Sequence, residues 1–311
     1  AQDGIINKLR SNLPDCPFPI RYTSLTAFNA RYRQGRITAT GSLVYTNVTE
    51  HVKIGDAPAD FQRLAPSFTV SLQPWQEQLL FLRLMYKSTF RMPTFNDLYY
   101  YRLGNRSLRP EKANEYNMGI TWSRSFSSFL NYLSVTVDGY YNDVTDKIVA
   151  FPTTYAWKMA NYGKVHVTGM DATLAAAASL GKNTVLVVSG GYTWQKAIDL
   201  TDATSKSYKD QLPYTPKHSG NVSAVLEMPW VNVGYSIVGV SERYSMSQNI
   251  PENRIDGYME HTVSLSRNFS FRHCKLRLQA EIINLTDTQY DVIKYYPMPG
   301  RSWRLTGTIE F

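Results

Sequence analysis

A regular alternation of apolar and polar side chains is the feature that most limits what this chain can fold into. It is clearest in the C-terminal segment 301–311, where apolar residues take every second position: Trp303, Leu305, Gly307, Ile309 and Phe311. Successive side chains of a β-strand point to opposite faces, so this segment predicts a strand with one apolar face and one polar face. Because the same period recurs upstream, for example in 79–89, 115–123 and 184–195, we predict an all-β chain.

The spacing of these segments predicts a membrane barrel. The pattern indicates about 13 strands of about ten residues each, the length that crosses a bilayer when a strand is tilted. The connections alternate in length, as in outer-membrane barrels, which have short periplasmic turns and long outer loops. Short connections lie near residues 34, 75, 127, 181, 230 and 271, and long ones cover 49–64, 90–113, 145–160, 197–214, 245–257 and 286–300. A soluble β-sandwich or a propeller is the alternative, but no propeller repeat of about 40 residues is present.

Composition agrees with a membrane barrel. Aromatic residues make up 13% of the chain, with 22 tyrosines, and aromatic girdles mark both interfaces of such barrels. The net charge is +8, but the basic residues are scattered and no zinc-finger or helix-turn-helix pattern is present, so we expect no nucleic-acid partner. No apolar run approaches the length of a membrane helix. We therefore expect the polar face to line a lumen and the apolar face to meet outer-membrane lipid.

The strand count predicts that the chain does not close a barrel alone. The last strand should end in the periplasm, and counting back places residues 1–20 in an outer loop segment, followed by the barrel portion 21–311. Single-chain bacterial barrels have an even number of strands, and an open edge in lipid leaves backbone groups unpaired. We therefore expect residues outside this sequence to supply the missing N-terminal barrel strands. The same topology places Cys16 and Cys274 at opposite ends of the barrel, too far apart for a disulfide.

Several ordered motifs resemble the TonB-dependent outer-membrane receptor family. The segment 90–99, Phe-Arg-Met-Pro-Thr-Phe-Asn-Asp-Leu-Tyr, and the segment 104–111 are similar to the family's Arg-x-Pro-Thr and Asn-x-x-Leu-x-Pro-Glu outer loop, with Asp97 where the pattern has Glu. Further matches are Asn161-Tyr162-Gly163 with Gly169-Met170-Asp171, the loop exit 212–218 and the last hairpin, 283–301. The resemblance covers about residues 65–311.

This resemblance implies a fold, a location and partners. The fold is the C-terminal part, about 13 strands, of a transmembrane antiparallel β-barrel of about 22 strands. The location is the outer membrane of a diderm bacterium. The family also has a plug domain, absent from this chain, through which the TonB energy-transducing complex would act.

We expect ligand contact from aromatic and cationic residues on the outer loops, because aromatic faces beside cations suit a flat anionic ligand or a metal chelate. The candidate ligand-binding residues are Tyr99, Tyr100, Tyr101, Arg102, Tyr155, Trp157, Tyr295 and Tyr296. The motif loop also has a structural interpretation, in which Arg91, Asp97 and Glu111 bond one another and hold the loop in shape.

The sequence predicts no catalytic residues, no cofactor and no resident metal site. We interpret Asp143 with Asp146, and Asp199 with Asp202, as loop carboxylates. The histidines His51, His166, His218, His261 and His273 are expected at different depths, as strand or turn residues.

The resemblance implies a receptor for high-affinity uptake of a large metal-chelate nutrient, and not an enzyme. A ferric siderophore, haem and a corrinoid remain open as ligands. Haem receptors of the family usually place a histidine between the two loop motifs, and 91–108 contains none, although His51 on another outer loop keeps haem open. The closing stretch 284–301 looks most like the cobalamin-transporting branch, which places a corrinoid slightly ahead. A passive outer-membrane porin is the other alternative, and a barrel enzyme is disfavoured because no Gly-x-Ser-x-Gly segment is present.

Overall fold

A computed structural model describes residues 17–75, 77–100, 103–127, 129–152, 157–272 and 274–310. Within these ranges the chain forms a 13-stranded antiparallel sheet and two small two-stranded ribbons, with one α-helix and one 3-10 turn at Pro251–Asn253. The elements are β1 (Ile20–Gln34), β2 (Ile37–His51), β3 (Phe61–Leu72), β4 (Leu79–Arg91), α1 (Phe95–Tyr99), β5 (Glu111–Ser125), β6 (Leu130–Pro152), β7 (Trp157–Gly181), β8 (Thr184–Asp199), β9 (His218–Glu227), β10 (Asn232–Val240), β11 (Arg243–Tyr244), β12 (Arg254–Ile255), β13 (Tyr258–Ser270), β14 (Lys275–Ile283), β15 (Asp291–Ile293), β16 (Tyr296–Pro297) and β17 (Ser302–Glu310).

The large sheet is a meander in which each strand pairs with the next along the chain. Its order is β1 to β10 in sequence, then β13, β14 and β17. The ribbons β11–β12 and β15–β16 lie within the two connections that interrupt this order. The all-β fold and the count of 13 strands are therefore confirmed. No helix in the described ranges is long and apolar enough to span a membrane.

The predicted short connections lie at one end of the sheet, which we call the turn end, and the long ones lie at the other, the loop end. The predicted turns at 35–36, 182–183 and 228–231 are present, as are those near residues 75, 127 and 271. At the loop end, five of the predicted long connections are present as 52–60, 92–110, 200–217, 241–257 and 284–301. The connection between β6 and β7 differs.

The predicted long loop at 145–160 is wrong, because most of it belongs to a hairpin. The ladder between β6 and β7 continues from Thr145 paired with Lys164 to Pro152 paired with Trp157. These strands have 23 and 25 residues, far more than the ten predicted. Ile148 and Met159 pack in a buried cluster with Leu98 and Leu108 of the 92–110 connection. The alternation of lipid-facing and lumen-facing side chains ends here, because the 92–110 connection covers this part of the hairpin.

The two faces of the sheet differ as the alternation predicts. On β5, Tyr116, Met118 and Ile120 are exposed on the apolar face. On the polar face, Arg83 of β4 and Asp138 of β6 form an ion pair of 3.1 Å. The chain therefore has one surface suited to lipid and one suited to a polar lumen.

The first and last strands of the sheet are edges. Within the described residues, β1 pairs with β2 alone and β17 pairs with β14 alone. Consecutive side chains of both strands are exposed, so neither of their faces is covered. Cys274 is a free thiol beside the turn between β13 and β14, and Cys16 lies outside the described residues, so the absence of a bridge between them stays a prediction.

Candidate functional site

Ion pairs around Arg91 hold the motif loop, residues 92–110. The Arg91 guanidinium lies 3.6 Å from the Asp97 carboxylate and 3.4 Å from that of Glu111. It also donates to the Ile148 carbonyl oxygen at 3.1 Å, and the Glu111 carboxylate accepts from the Ile148 N–H at 3.0 Å. The expected Arg91–Asp97–Glu111 network is therefore confirmed, and it extends to β6.

A capping box starts the helix α1 inside this loop, where the sequence predicted only a long connection. The Thr94 hydroxyl accepts from the Asp97 N–H at 3.1 Å, and the Asp97 carboxylate accepts from the Thr94 N–H at 2.8 Å. This reciprocal pair satisfies two N–H groups that a helix start leaves unbonded. Asp97, which departs from the family's Glu, still performs this role.

A buried carboxylate joins the motif loop to the first two strands. The Glu50 side chain is 3% exposed and lies 2.6 Å from the Arg21 guanidinium. The Tyr99 hydroxyl donates to the other Glu50 oxygen at 2.6 Å. Burial, and then the hydrogen bond to Glu50, raise the pKa of the Tyr99 phenol well above its usual value. The hydroxyl of Tyr99, a predicted ligand residue, is thus bonded to Glu50 and holds α1 against β2.

A cavity of about 310 Å³ lies between the motif loop and the 52–60 loop. Arg21, Arg106 and Arg109 line it, together with Asp60 and several apolar side chains. Arg109 is engaged with Asp146 at 2.6 Å. Arg106 lies over the Tyr99 ring, 5.4 Å from its centroid. The cavity is therefore lined by three arginines, two of which are paired with carboxylates.

An aromatic group at the loop end brings together residues distant in sequence. The rings of Trp157 and Tyr214 have centroids 6.2 Å apart. The backbone of Lys294 lies near the Tyr214 hydroxyl. The next residues, Tyr295 and Tyr296, are 82% and 70% exposed. Tyr214 therefore connects two of the predicted ligand-contact regions, the start of β7 and the last outer loop.

Two of these tyrosines have strained backbones. Tyr214 and Tyr295 have φ values of 56° and 68°, in the left-handed region that bulky residues avoid. The Tyr214 N–H donates to the Tyr244 carbonyl oxygen at 2.7 Å, and the Tyr295 N–H donates to the Asp291 carboxylate at 2.9 Å. Burial raises the pKa of the Tyr214 phenol. These hydrogen bonds stabilise the backbone conformation of both tyrosines.

Arg243 is buried below this aromatic group. It is 4% exposed and donates to the carbonyl oxygens of Asp291 and Val292 at 2.6 and 3.0 Å. Its guanidinium lies 5.7 Å from the centroid of the Tyr258 ring, which stacks on Tyr290 at 3.9 Å. Since two outer loops and β13 meet at Arg243, this cation fixes the base of the aromatic group.

On the polar face below the loops, long polar side chains lie over glycine residues of the neighbouring strand. Arg83 and Asp138 lie on either side of Gly119 in one row of the ladder, and a Cβ at Gly119 would collide with the Asp138 carboxylate. Tyr140 crosses Gly169 in the same way and donates to Gln195 at 3.2 Å. The glycines thus allow long polar side chains to lie flat along the wall, which keeps the polar surface open.

The predicted ligand residues fall into separate groups. Tyr99 and the exposed Tyr100 lie on the motif loop, which contacts β7 through the Met159 N–H and the Leu103 carbonyl oxygen at 3.1 Å. Trp157 lies against Tyr214, and Tyr295 and Tyr296 follow Lys294, whose backbone lies near the Tyr214 hydroxyl. Tyr101, Arg102 and Tyr155 lie outside the described residues. Their role as ligand contacts stays a prediction.

Glu50, Tyr214 and Arg243 were not among the residues predicted from the sequence. A signal for Tyr214 was available, because it stands between two prolines in the segment Pro213-Tyr214-Thr215-Pro216. No comparable signal marks Glu50 or Arg243, because their burial depends on loops far away in sequence.

The paired aspartates bond to cations and backbone groups. Asp143 and Asp146 lie in β6 and not in a loop, and they contact Lys164 and Arg109, respectively. The Asp199 carboxylate accepts from the Thr201 N–H at 2.9 Å, and the Asp202 carboxylate accepts from the Thr204 N–H at 2.8 Å. Each of these carboxylates therefore has a local structural partner.

The histidines share a common environment, and their expected difference in depth stays a prediction. Each one in the described ranges lies in the loop-end half of its strand and contacts a tyrosine: His51 with Tyr22, His166 with Tyr141, His218 with Tyr192 and His261 with Tyr235. His273 lies outside the described residues. Each pair is diagonal on neighbouring strands, a relation that only the register reveals.

The wall, its two faces and its elaborate loop end define a β-barrel protein of the outer-membrane type. The family model described as "TonB dependent receptor-like, beta-barrel" matches residues 8–285. The chain belongs to this family of TonB-dependent receptors, whose barrels lie in the outer membrane. The members are receptors and transporters, which confirms the expectation that the chain is not an enzyme.

Two curated relatives are similar in sequence. The vitamin B12 transporter BtuB of Photobacterium profundum is 26% identical over 230 residues, which is 71% of this chain and 34% of the relative. The vitamin B12 transporter BtuB of Vibrio vulnificus is 24% identical over 233 residues, which is 71% of this chain and 33% of the relative. The chain thus spans about a third of the length of these relatives.

Solved structures share the fold. The ferric citrate transporter FecA, in its unliganded form, superposes with a TM-score of 0.74 at 15% identity, covering 92% of this chain and 44% of that chain. The copper transporter OprC gives a TM-score of 0.71 at 15% identity, covering 94% of this chain and 47% of that chain. These matches confirm that the 13-stranded sheet is a partial barrel of this type.

Proposed function

We propose that this chain is the C-terminal barrel portion, residues 21–311, of a TonB-dependent receptor that takes up a large metal chelate across the outer membrane of a diderm bacterium. The aromatic group around Tyr214 is the observation that carries the proposal. It offers exposed rings next to cations above a polar wall, as the capture of a large, partly flat chelate requires.

Residues outside this sequence complete the receptor in this proposal. They supply the remaining strands of a barrel of about 22, which pair with the edges β1 and β17, and the plug through which the TonB complex acts. Residues 1–20 form an outer loop segment. The support for the added strands is that both edge strands have exposed faces on each side.

A corrinoid is the first candidate ligand and a ferric siderophore the second. The similarity to two vitamin B12 transporters supports this order. The resemblance of the 284–301 stretch to the cobalamin branch points the same way, and this stretch contains Tyr295 and Tyr296. Haem is less favoured, because the exposed His51 packs against Tyr22 with ring centroids 6.2 Å apart. A passive porin is not favoured for a chain of this family.

Titration of the full-length receptor with cobalamin, a ferric siderophore panel and haem tests the proposal. We expect tight binding of one chelate, and we expect Trp157→Ala to weaken it by about 1–2 kcal/mol, roughly five- to thirtyfold. The matched control is Trp230→Ala, which removes an exposed tryptophan at the turn end and should leave affinity unchanged. Absence of binding to every chelate by an inserted receptor would contradict the proposal.

A further inference from the structure

We propose that the apolar face carries, at its loop end, a binding site for the phosphate group of a membrane lipid, formed by Lys112, Lys164 and Lys196. The proposal rests on the proposed membrane location of the receptor but not on the identity of the transported ligand.

The three lysines lie on β5, β7 and β8, in the loop-end half of four adjacent strands. Lys112 and Lys164 both pair with Thr145 of the intervening strand β6, and Lys196 pairs with Thr168, four residues along β7 from Lys164. These registers place three cations within one region of four adjacent strands.

All three lysines project from the apolar face of the sheet. Each one is next in sequence to a member of one buried cluster: Ala113, Val165 and Ala197. Because neighbouring side chains of a strand point to opposite faces, the lysines must point away from that cluster. The exposed Tyr141, Met170 and Leu174 share their face. The lysines are therefore outside the barrel wall, at a distance from the lumen.

The region has an excess of positive charge. Asp143 is the carboxylate in contact with it, 4.0 Å from the Lys164 ammonium and 3.2 Å from His166 Nε2. Within the described ranges, no carboxylate lies within ion-pair distance of Lys112 or Lys196. The side chain of Lys164 is 48% exposed. The site thus attracts an anion and leaves room for it.

A band of aromatic rings fixes the depth of the site in the membrane. The rings of Tyr86, Tyr116, Tyr141 and His166 follow one another with centroids 5.2, 6.2 and 5.4 Å apart. Tyr192 and His218 continue the band, with the hydroxyl 2.7 Å from Nδ1. Tyrosine side chains of this kind mark the membrane interface. The band therefore marks the membrane interface at the loop-end border of the apolar face, next to the three lysines.

The lysines lie just beyond this band, towards the loops. Lys112 is four residues from Tyr116, Lys164 is two from His166 and Lys196 is four from Tyr192. Lysine ammonium groups at this position reach the headgroup layer while their alkyl chains cover apolar surface. The exposed Met170 and Leu174, further along β7, provide apolar contact for an acyl chain. A lipid with a phosphate headgroup meets both requirements, whereas free phosphate meets the charge requirement alone.

Binding of phosphatidic acid to the full-length receptor in mixed micelles tests the site, with diacylglycerol as the neutral lipid of the same tails. We expect the Lys164→Gln/Lys196→Gln double variant to bind phosphatidic acid about 25-fold more weakly, from roughly fivefold for each lysine near a membrane surface. Lys182→Gln is the matched control, because Lys182 lies at the turn end of the same β7–β8 hairpin. It should bind as the unmodified receptor does.

Unchanged affinity in the double variant, equal binding of diacylglycerol, or displacement by inorganic phosphate alone would each overturn the inference. Heat-modifiable mobility on a gel shows that each variant is inserted as a barrel. Chelate titrations on the same samples separate the two proposals. A receptor that binds phosphatidic acid through these lysines but binds no chelate would contradict the proposed function and leave the lipid site in place.

Discussion

Glu50 shows how one buried carboxylate holds distant parts of the chain together. It lies in β2, accepts from Arg21 of β1 and from Tyr99 of α1, and is almost fully buried. A charge in such a position is stable only when it is paired and hydrogen-bonded. Arg21 also donates to the Pro93 carbonyl oxygen at 2.8 Å. The motif loop is therefore fixed to the first hairpin through two side chains.

Replacement of Tyr99 by phenylalanine should loosen the motif loop. Tyr99→Phe removes a hydrogen bond to a charged acceptor, and we expect a loss of about 1.5–3 kcal/mol in the stability of this contact. Hydrogen exchange of residues 92–110 in the full-length receptor measures it. Tyr100→Phe is the control, because Tyr100 is exposed and next in sequence. Equal protection in both variants would show that the Glu50 contact does not hold the loop.

The sign of the pH dependence follows from the raised pKa of Tyr99. A group with a pKa higher in the folded state stabilises that state fully below its unfolded pKa, which is about 10 for tyrosine. The contribution is lost as pH rises towards the folded-state pKa. The difference in loop stability between the unmodified receptor and Tyr99→Phe should therefore be constant near neutral pH and fall in strongly alkaline solution.

At the scale of the elements, the helix α1 determines the shape of the motif loop. It has five residues, too few to be stable by itself, so its capping box and its contacts with Arg91 and Glu50 decide whether it forms. Thr94→Ala removes the cap, and we expect a loss of about 1 kcal/mol, or roughly a fivefold rise in exchange of the Leu98 amide. Thr94→Ser keeps the hydroxyl and should restore protection. A similar rise in both variants would exclude the cap as the cause.

The strands were predictable because lipid and lumen impose opposite polarities on neighbouring side chains. The prediction fails where neither surface is present. Ile148 and Met159 pack under the motif loop, so the hairpin extends through 145–160 without the expected pattern. The helix α1 was missed because its start signal, Thr94 with Asp97, stands in a stretch rich in turn residues. Element boundaries at the loop end therefore depend on tertiary contacts.

Across the whole molecule, the sequence placed aromatic residues on the outer loops but did not show which of them meet. Exposed aromatic residues were foreseeable from their positions on long loops. The arrangement around Tyr214 was not, because it requires β7, the 200–217 loop and the 284–301 loop to meet. The Tyr–His pairs were hidden for the same reason, since each one joins residues about 25 positions apart or more. A sequence pattern shows which face of a strand a side chain occupies. The residues that meet in a site depend in addition on the register between strands.

The direction of the edge strands leads to the final prediction. β1 and β17 both run from the loop end to the turn end, so closing this sheet on itself would require a parallel pair in an otherwise antiparallel wall. Without closure, the edges leave backbone N–H and C=O groups unpaired in lipid, at several kcal/mol each. We therefore expect residues 1–311 alone, refolded into detergent or vesicles, to show no heat-modifiable band and to be degraded by protease. The full-length receptor, treated identically, should show the band and resist degradation. A protease-resistant, heat-modifiable monomer formed by residues 1–311 would show that the sheet closes without added strands.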